Sequence, residues 1–291
     1  MTTHEAHPTT DHVTRPGGRQ VAFAVRGPGD GPVVLLSSAA PGSRLHDPDP
    51  AATEGAGVRL VTLDRPGYGL SDPLPERELP TITSAADDAA AVLDQLGVTD
   101  AGVAGWSAGG RVVMALAARR PGLVRAVALI GTPAPDEEVP WVDDEQRGMI
   151  AELRQDPASA VTALTGALTP MTAEPGARVG MVSGGDADER LLADDEGLRS
   201  DVQVMVDEAF RQGAVGLVTD LASYTVQAWG FDPRAVGAPV RGWYGGSDAV
   251  VTPDHGRWWT SQPPVGELVV VPGAGHLVVR PAWRDVLTFV C

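Results

Sequence analysis

The sequence contains no lysine and no asparagine, so all 22 basic residues are arginine. Cysteine occurs once, as Cys291 at the end of the chain, which excludes an internal disulfide framework and a cysteine-rich metal site. No run of 18 apolar residues is present, and we expect no membrane-spanning helix. The first segment, residues 1–14, is polar and lacks the apolar stretch of a secretory signal. We therefore expect a cytoplasmic protein that begins with a flexible tail over residues 1–14.

The charge balance of the chain is strongly negative. Its 38 acidic residues and 22 arginines give a formal net charge of −16. Such a field repels phosphate, which disfavours a nucleic acid or an anionic membrane as partner. We expect a small-molecule substrate that is neutral or cationic. Three histidines in the tail, His4, His7 and His12, imitate a metal-binding tract, but a polar tail explains them better. We predict no metal site and no cofactor, and the sequence does not indicate an oligomeric state.

Short apolar runs alternate with helical patterns along much of the chain. An unbroken run such as Val33 to Leu36 is typical of a strand buried on both faces of a parallel sheet. Alternation with short links predicts an α/β fold with a mostly parallel, doubly wound sheet. The predicted strands are residues 19–26, 33–36, 58–63, 101–104, 124–130, 239–245 and 267–271.

The alternation stops near Thr132, and the next hundred residues contain no convincing strand. An insertion between two sheet strands is the natural place for a lid over a site at the strand ends, the alternative being a structural subdomain without gating. We predict an α/β core formed by residues 1–132 and 233–291, with a helical lid at 133–232. Helical patterns within that insertion lie near residues 143–155, 157–168, 198–212 and 214–228.

The stretch Gly105-Trp106-Ser107-Ala108-Gly109 joins a buried strand to an Ala/Val/Leu-rich helix. This is the setting of a nucleophile elbow, a tight turn that presents a serine hydroxyl at the tip of a strand. Glycine two residues to either side of Ser107 fits such a turn, because bulkier residues would not. A serine hydroxyl also needs a base within hydrogen-bond reach and a third group that orients the base.

The candidates for these two groups follow later strands. His276 lies in a strand-to-loop setting, and Asp248 follows the preceding strand. His255 is an alternative base, but it falls in a predicted first helical turn. Asp232 and Asp254 are alternative acids, better explained as helix caps or surface charges.

Four segments together resemble the α/β-hydrolase fold family over residues 19–290. The resemblance implies an eight-stranded sheet with the lid inserted after the sixth strand, and it is closest to the lidded, proline-iminopeptidase-like and esterase-like branch. It further implies Ser107 as nucleophile, His276 as general base and then acid, and Asp248 as the group that orients the imidazole. The four segments are Gly105-Trp-Ser-Ala-Gly109, Asp64-Arg-Pro-Gly-Tyr-Gly-Leu-Ser-Asp72, Gly245-Gly-Ser-Asp248 and Pro272-Gly-Ala-Gly-His276.

One segment departs from the family pattern. The family has His-Gly after the strand that here ends at Leu36, whereas this chain has Ser38 and Ala39. The resemblance implies an oxyanion hole made by backbone amides, those of Ala40 and Ala108. A backbone amide can donate a hydrogen bond whatever its side chain is. The loss of one such donor from an oxyanion hole, however, lowers the catalytic rate on the order of a hundredfold or more.

Five residues are candidates for the substrate pocket: Ser38, Ala39, Trp106, Trp141 and Trp229. For Trp141 and Trp229, at the edges of the predicted lid, the alternative is ordinary core packing. We interpret the loop from Asp64 to Asp72 as structural.

The preferred hypothesis is a serine hydrolase that acts on an ester, with an amide less favoured, of a small apolar acyl compound. Two alternatives remain open: a ligand-binding protein of the same fold with little turnover, and a non-hydrolytic lyase, acyltransferase or cyclase. An aspartate nucleophile is disfavoured because the elbow residue is Ser107.

Overall fold

The computed structural model describes residues 9–75, 78–172 and 175–291. Within these ranges one sheet of eight strands forms the centre of the molecule, which confirms the predicted α/β class. The strands are β1 (Thr10–Thr14), β2 (Gln20–Arg26), β3 (Val33–Ser37), β4 (Arg59–Leu63), β5 (Ala101–Trp106), β6 (Val124–Ile130), β7 (Val240–Gly245) and β8 (Gly266–Val271).

The strand order is β1-β2-β4-β3-β5-β6-β7-β8. Strand β2 runs antiparallel to its neighbours β1 and β4, and every other pairing is parallel. The carboxyl ends of β3, β5, β7 and β8 therefore lie along one edge of the sheet. Groups that follow these four strands are brought to one place, as the rule for open α/β sheets predicts.

Helices cover both faces of the sheet. In β3, Leu35 packs with the layer of α2 and α3, whereas Val34 and Leu36 pack with that of α11. None of the helices in the described ranges combines the length and apolarity needed to cross a bilayer. The helices are α1 (Pro50–Gly55), α2 (Ile82–Gln95), α3 (Ala108–Arg119), α4 (Asp144–Leu153), α5 (Pro157–Met171), α6 (Pro175–Arg178), α7 (Asp186–Asp194), α8 (Glu196–Ala209), α9 (Val215–Leu221), α10 (Pro253–Ser261) and α11 (Val279–Val290).

The insertion between β6 and β7 is helical and contains α4 to α9, followed by a π-helical turn at Ala222–Val226. Four of these helices match the sequence patterns, but α6 and α7 were not predicted. Helix α7 is short and carries acidic residues in its first turn, Asp186, Asp188 and Glu189. A helix of nine mostly polar residues is too short for its apolar positions to stand out in the sequence.

The predicted flexible tail is wrong in its last part. Residues 10–14 form β1, in which Val13 is opposite Val21 of β2 and is buried. The side chain of Gln95 also donates a hydrogen bond to the carbonyl of His12. Backbone pairing and one buried valine therefore hold this segment in the sheet. Residues 1–8, including His4 and His7, lie outside the described residues.

Candidate active site

Ser107 occupies the turn between β5 and α3 with φ 54° and ψ −123°. Positive φ is costly for a residue with a side chain and is found mainly where surrounding structure enforces it. Here a Cβ on Gly105 would lie 2.5 Å from the Gly109 carbonyl oxygen, and one on Gly109 would lie 2.0 Å from that of Ser37. Glycine at both positions lets strand, turn and helix pack this closely.

The structure brings Ser107, His276 and Asp248 together. Ser107 Oγ lies 2.9 Å from His276 Nε2, and His276 Nδ1 lies 2.8 Å from Asp248 Oδ2. The Asp248 side chain is fully buried, and that of His276 is 10% exposed. The geometry allows the imidazole to accept the hydroxyl proton while the carboxylate faces the resulting positive charge.

The remaining oxygen of Asp248 fixes the orientation of its carboxylate. Asp248 Oδ1 accepts hydrogen bonds from the amides of Val250 and Val251, at 2.9 and 2.8 Å. The two oxygens are thus committed to different partners, one to the loop after β7 and one to His276. This arrangement keeps the carboxylate aimed at Nδ1.

A carboxylate from the insertion holds the loop that carries His276. Asp188 in α7 is completely buried and accepts hydrogen bonds from the amides of His276 and Leu277, at 2.7 and 3.0 Å. It also accepts one from the amide of Gly184, at 2.6 Å. A Cβ on Gly184 would lie 2.7 Å from that of His276 and 2.8 Å from Asp248 Oδ1. Residues 184–188 of the insertion therefore pack directly against the triad, a contact the sequence did not indicate.

We expect Asp188→Asn to lower the free energy of unfolding by about 1–3 kcal/mol, because the new amide group would face buried backbone donors and leave one unpaired. Urea denaturation followed by circular dichroism measures the change. The matched control is Asp186→Asn, an exposed residue of the same helix turn, which we expect to change stability by less than about 0.5 kcal/mol. Equal stability of the two variants would contradict the anchoring role.

The loop after β3 carries Ala40 and approaches the elbow. Arg65 donates hydrogen bonds to the carbonyl oxygens of Ser38 and Ala39, at 2.7 and 2.6 Å. The same guanidinium pairs with Asp220 of α9 at 2.6 Å. Arg65 is buried, and the neighbouring Asp220 carboxylate raises its pKa above the usual range against the opposing effect of burial. The loop from Asp64 to Asp72 thus contributes a side chain that fixes the backbone facing the elbow.

Among the described residues, neither the amide of Ala40 nor that of Ala108 donates a hydrogen bond to a backbone carbonyl in the turns and loops. Ala108 is the first residue of α3, where amides lack partners within the helix. A ligand oxygen can therefore be the acceptor for either group.

Three of the predicted pocket residues are buried against protein. Ser38 Oγ lies 2.7 Å from Nδ1 of the buried His46, whose pKa is lowered to about 3, mainly by burial. Trp106 is fully buried and donates a hydrogen bond from Nε1 to the carbonyl of His276. Ala39 is 1% exposed. The prediction that these three side chains face a substrate pocket is therefore corrected: they support the loops around the elbow.

The other two predicted pocket residues, Trp141 and Trp229, line a cavity of about 590 Å³ between α3 and the insertion. Trp229 also stacks on Trp259 of α10, with ring centroids 5.4 Å apart and planes 11° from parallel. Trp229 therefore both lines a cavity and packs in the core, so the pocket interpretation and the core interpretation each hold for one side of its ring.

The alternative base and acids have other partners. His255 Nδ1 accepts a hydrogen bond from the amide of Ala134, and burial lowers the pKa of His255 to about 4. Asp254 pairs with Arg257 on the exposed side of α10, and Asp232 caps a short helical turn by accepting from the Arg234 amide. These contacts are structural, as the sequence indicated for the two aspartates.

Comparison with known proteins gives a consistent family. A family model described as the alpha/beta hydrolase fold matches residues 32–279. The acetyltransferase component (dihydrolipoyllysine-residue acetyltransferase) of the acetoin cleaving system of Pseudomonas putida is 28% identical over 280 residues, which are 93% of this chain and 65% of that protein.

Two further proteins illustrate the range of similarity. Bifunctional epoxide hydrolase 2 of Sus scrofa is 36% identical over 109 residues, which are 36% of this chain and 19% of that protein. This chain thus spans less than two thirds of the length of either curated relative. The crystal structure of an esterase from a Rhodococcus species superimposes with a TM-score of 0.65 at 24% identity, covering 95% of each chain. At 24% identity, this similarity shows a shared fold and nothing about activity.

Proposed function

Because this chain belongs to the alpha/beta hydrolase fold family, we propose that it is a hydrolase of the serine type that cleaves small apolar carboxylic esters. The observation that carries the proposal is the unbroken chain of contacts from Ser107 Oγ through His276 to Asp248, at 2.9 and 2.8 Å. An epoxide hydrolase and an esterase are among the similar proteins, which supports hydrolysis in general. A serine at the elbow favours an ester over an epoxide, because acyl transfer to a hydroxyl is the chemistry of this arrangement.

In the proposed reaction His276 Nε2 removes the proton from Ser107 Oγ as the oxygen attacks the ester carbonyl carbon. The buried Asp248 stabilises the imidazolium that forms. The amides of Ala40 and Ala108 bind the oxyanion of the tetrahedral intermediate. His276 then gives its proton to the leaving alcohol, and an acyl group remains on Ser107. Water activated by His276 attacks the acyl-enzyme, releases the acid and restores the serine.

The insertion is proposed to act as a lid that selects the acyl compound, and the substrate is proposed to be neutral or cationic. The net charge of −16 disfavours the approach of an anion over long distances. Residues 184–188 of the insertion pack against His276 and Asp248. Their position supports an influence of the lid on the site, because they contact the two residues that the proposal assigns as base and orienting acid.

A fluorophosphonate probe tests the nucleophile. We expect the wild-type protein to be labelled at Ser107 and to hydrolyse p-nitrophenyl esters of short acids, and we expect Ser107→Ala to do neither. The matched control is Ser38→Ala, since Ser38 is a buried serine of the facing loop, and this variant should still be labelled. Labelling that persists in Ser107→Ala would refute the assignment. A wild type that is neither labelled nor active would favour a binding protein of the same fold.

A further inference from the structure

Arg111 lies in α3, one helical turn after Ser107, and is 2% exposed. Its Nε has no hydrogen-bond partner. Within the described ranges, Arg111 also has no carboxylate at salt-bridge distance. Charged side chains are almost never fully buried unless they are paired. An unpaired guanidinium inside this protein is therefore an exception that needs a physical reason.

Other buried arginines in the molecule follow the usual rule. Arg65 pairs with Asp220 at 2.6 Å, and Arg44 pairs with Asp64 at 2.7 Å. Both also donate hydrogen bonds to backbone carbonyls or to a second carboxylate. The fold thus supplies acidic partners to buried arginines elsewhere but leaves Arg111 without one.

Two aromatic rings hold the Arg111 guanidinium in place. Its central carbon lies 4.2 Å from the centre of the Tyr224 ring and 5.4 Å from that of the Trp229 ring. Ring faces attract a cation and fix its orientation, but they do not satisfy its N–H groups. Burial lowers the pKa of Arg111 to about 10, so the group still carries its charge at neutral pH.

Arg111, Tyr224 and Trp229 line the cavity of about 590 Å³, together with Trp141 and Ile150 of the insertion. This volume is in the range of small-molecule sites, and its walls combine aromatic and apolar side chains with charged ones. The lining contains none of the three triad residues. Because Arg111 follows Ser107 by four residues on one helix, the cavity begins roughly 6 Å along the axis from the elbow.

The acidic side chains at the cavity are already neutralised. Asp136 pairs with Arg147, and Glu137 pairs with Arg154, each at 2.7 Å. The charge of Arg111 is therefore the one that these pairs leave uncompensated. The distant surface carboxylates responsible for the net charge of −16 are screened over about 10 Å in salt solution. Inside the cavity the local charge is positive.

We propose that this cavity is a binding site for a small aromatic monocarboxylate, with the carboxylate on Arg111 and the ring against Trp229 and Tyr224. A guanidinium binds a carboxylate through paired, charge-assisted hydrogen bonds. The ligand would therefore be the acidic partner that Arg111 lacks among the described residues. The apolar walls take up the ring of the ligand. The site is separate from the proposed hydrolytic centre. Its ligand is an anion, whereas the net charge of the chain favours a neutral or cationic substrate.

Isothermal titration calorimetry with sodium benzoate tests the site. We expect saturable binding to the wild type, and binding at least about tenfold weaker for benzamide, which has the same shape without the charge. We expect Arg111→Gln to weaken benzoate binding by about ten- to a hundredfold. The matched control is Arg119→Gln, which removes an exposed arginine of the same helix that pairs with Asp87 and lies outside the cavity. Its benzoate affinity should stay within about twofold of the wild type.

Ser107→Ala separates this proposal from the hydrolase proposal, because we expect it to bind benzoate with wild-type affinity whether or not the protein hydrolyses esters. Equal affinity for benzamide and benzoate, or unchanged affinity in Arg111→Gln, would overturn the site. So would the absence of saturable benzoate binding in the millimolar range. The comparison of the two ligands on the wild type decides the question even if Arg111→Gln does not fold.

Discussion

Asp248→Asn is expected to lower kcat for the hydrolysis of p-nitrophenyl esters by about 10⁴-fold, with the fold intact. Asparagine has the shape of aspartate, and its carbonyl oxygen can still accept from the amides of Val250 and Val251. Its NH₂ group then faces His276 Nδ1 and donates to it. The ring proton is displaced to Nε2, which faces Ser107 Oγ and can no longer accept the hydroxyl proton.

The matched control for this variant is Asp254→Asn. Asp254 lies six residues further along, is exposed and pairs with Arg257. We expect it to retain wild-type kcat within about twofold, since exposed ion pairs contribute little. Circular dichroism and urea denaturation of both variants establish that the loss does not come from unfolding. An Asp248→Asn enzyme within tenfold of the wild type would contradict the proposed orientation of His276 by this carboxylate.

Arg65→Met is expected to have two separate effects. It leaves the buried Asp220 carboxylate without its partner, which should cost about 3–5 kcal/mol of stability. It also frees the carbonyls of Ser38 and Ala39, so that the loop carrying Ala40, the proposed oxyanion donor, is no longer held in place. Displacing one oxyanion donor should lower kcat by about 10²–10³-fold, with a smaller change in KM.

A second substitution distinguishes these effects. In Arg65→Met combined with Asp220→Leu both charges are gone, and replacing a buried ion pair by apolar side chains is often neutral for stability. We expect the double variant to regain most of the lost stability in urea denaturation, while kcat stays low. Recovery of kcat together with stability would show that Arg65 acts on the fold alone and does not position the loop.

The central part of the site was predictable from sequence because it follows from the geometry of a parallel sheet. Ser107, Asp248 and His276 each lie within five residues after the end of a strand, and the carboxyl ends of parallel strands meet at one edge. The turn at Ser107 also has a local cause, since the close approaches at Gly105 and Gly109 require glycine. Strand order and local turn chemistry therefore suffice to predict that these three residues share one edge of the sheet.

The supporting residues were not predictable in the same way. Asp188 contacts the amide of His276 across 88 residues of sequence, from a helix of only nine residues. The lack of a partner for Arg111 depends on which side chains the insertion places opposite α3, and no sequence spacing encodes that. Trp106 looked like a pocket residue because it neighbours Ser107, yet side chains alternate along a strand and its ring points into the core.

The hydrogen bonds from the His276 loop to Asp188 also have a consequence for replacing the insertion with that of a related protein. The Asp188 carboxylate accepts hydrogen bonds from the amide of Gly184 in the insertion and from those of His276 and Leu277 in the core. We therefore expect this part of the insertion to unfold together with the core. An insertion taken from a related protein need not have a carboxylate at the position of Asp188, and the His276 loop would then lose its hydrogen-bond acceptor. Exchanging the insertion between such proteins therefore requires moving residues 184–188 together with the loop that they hold.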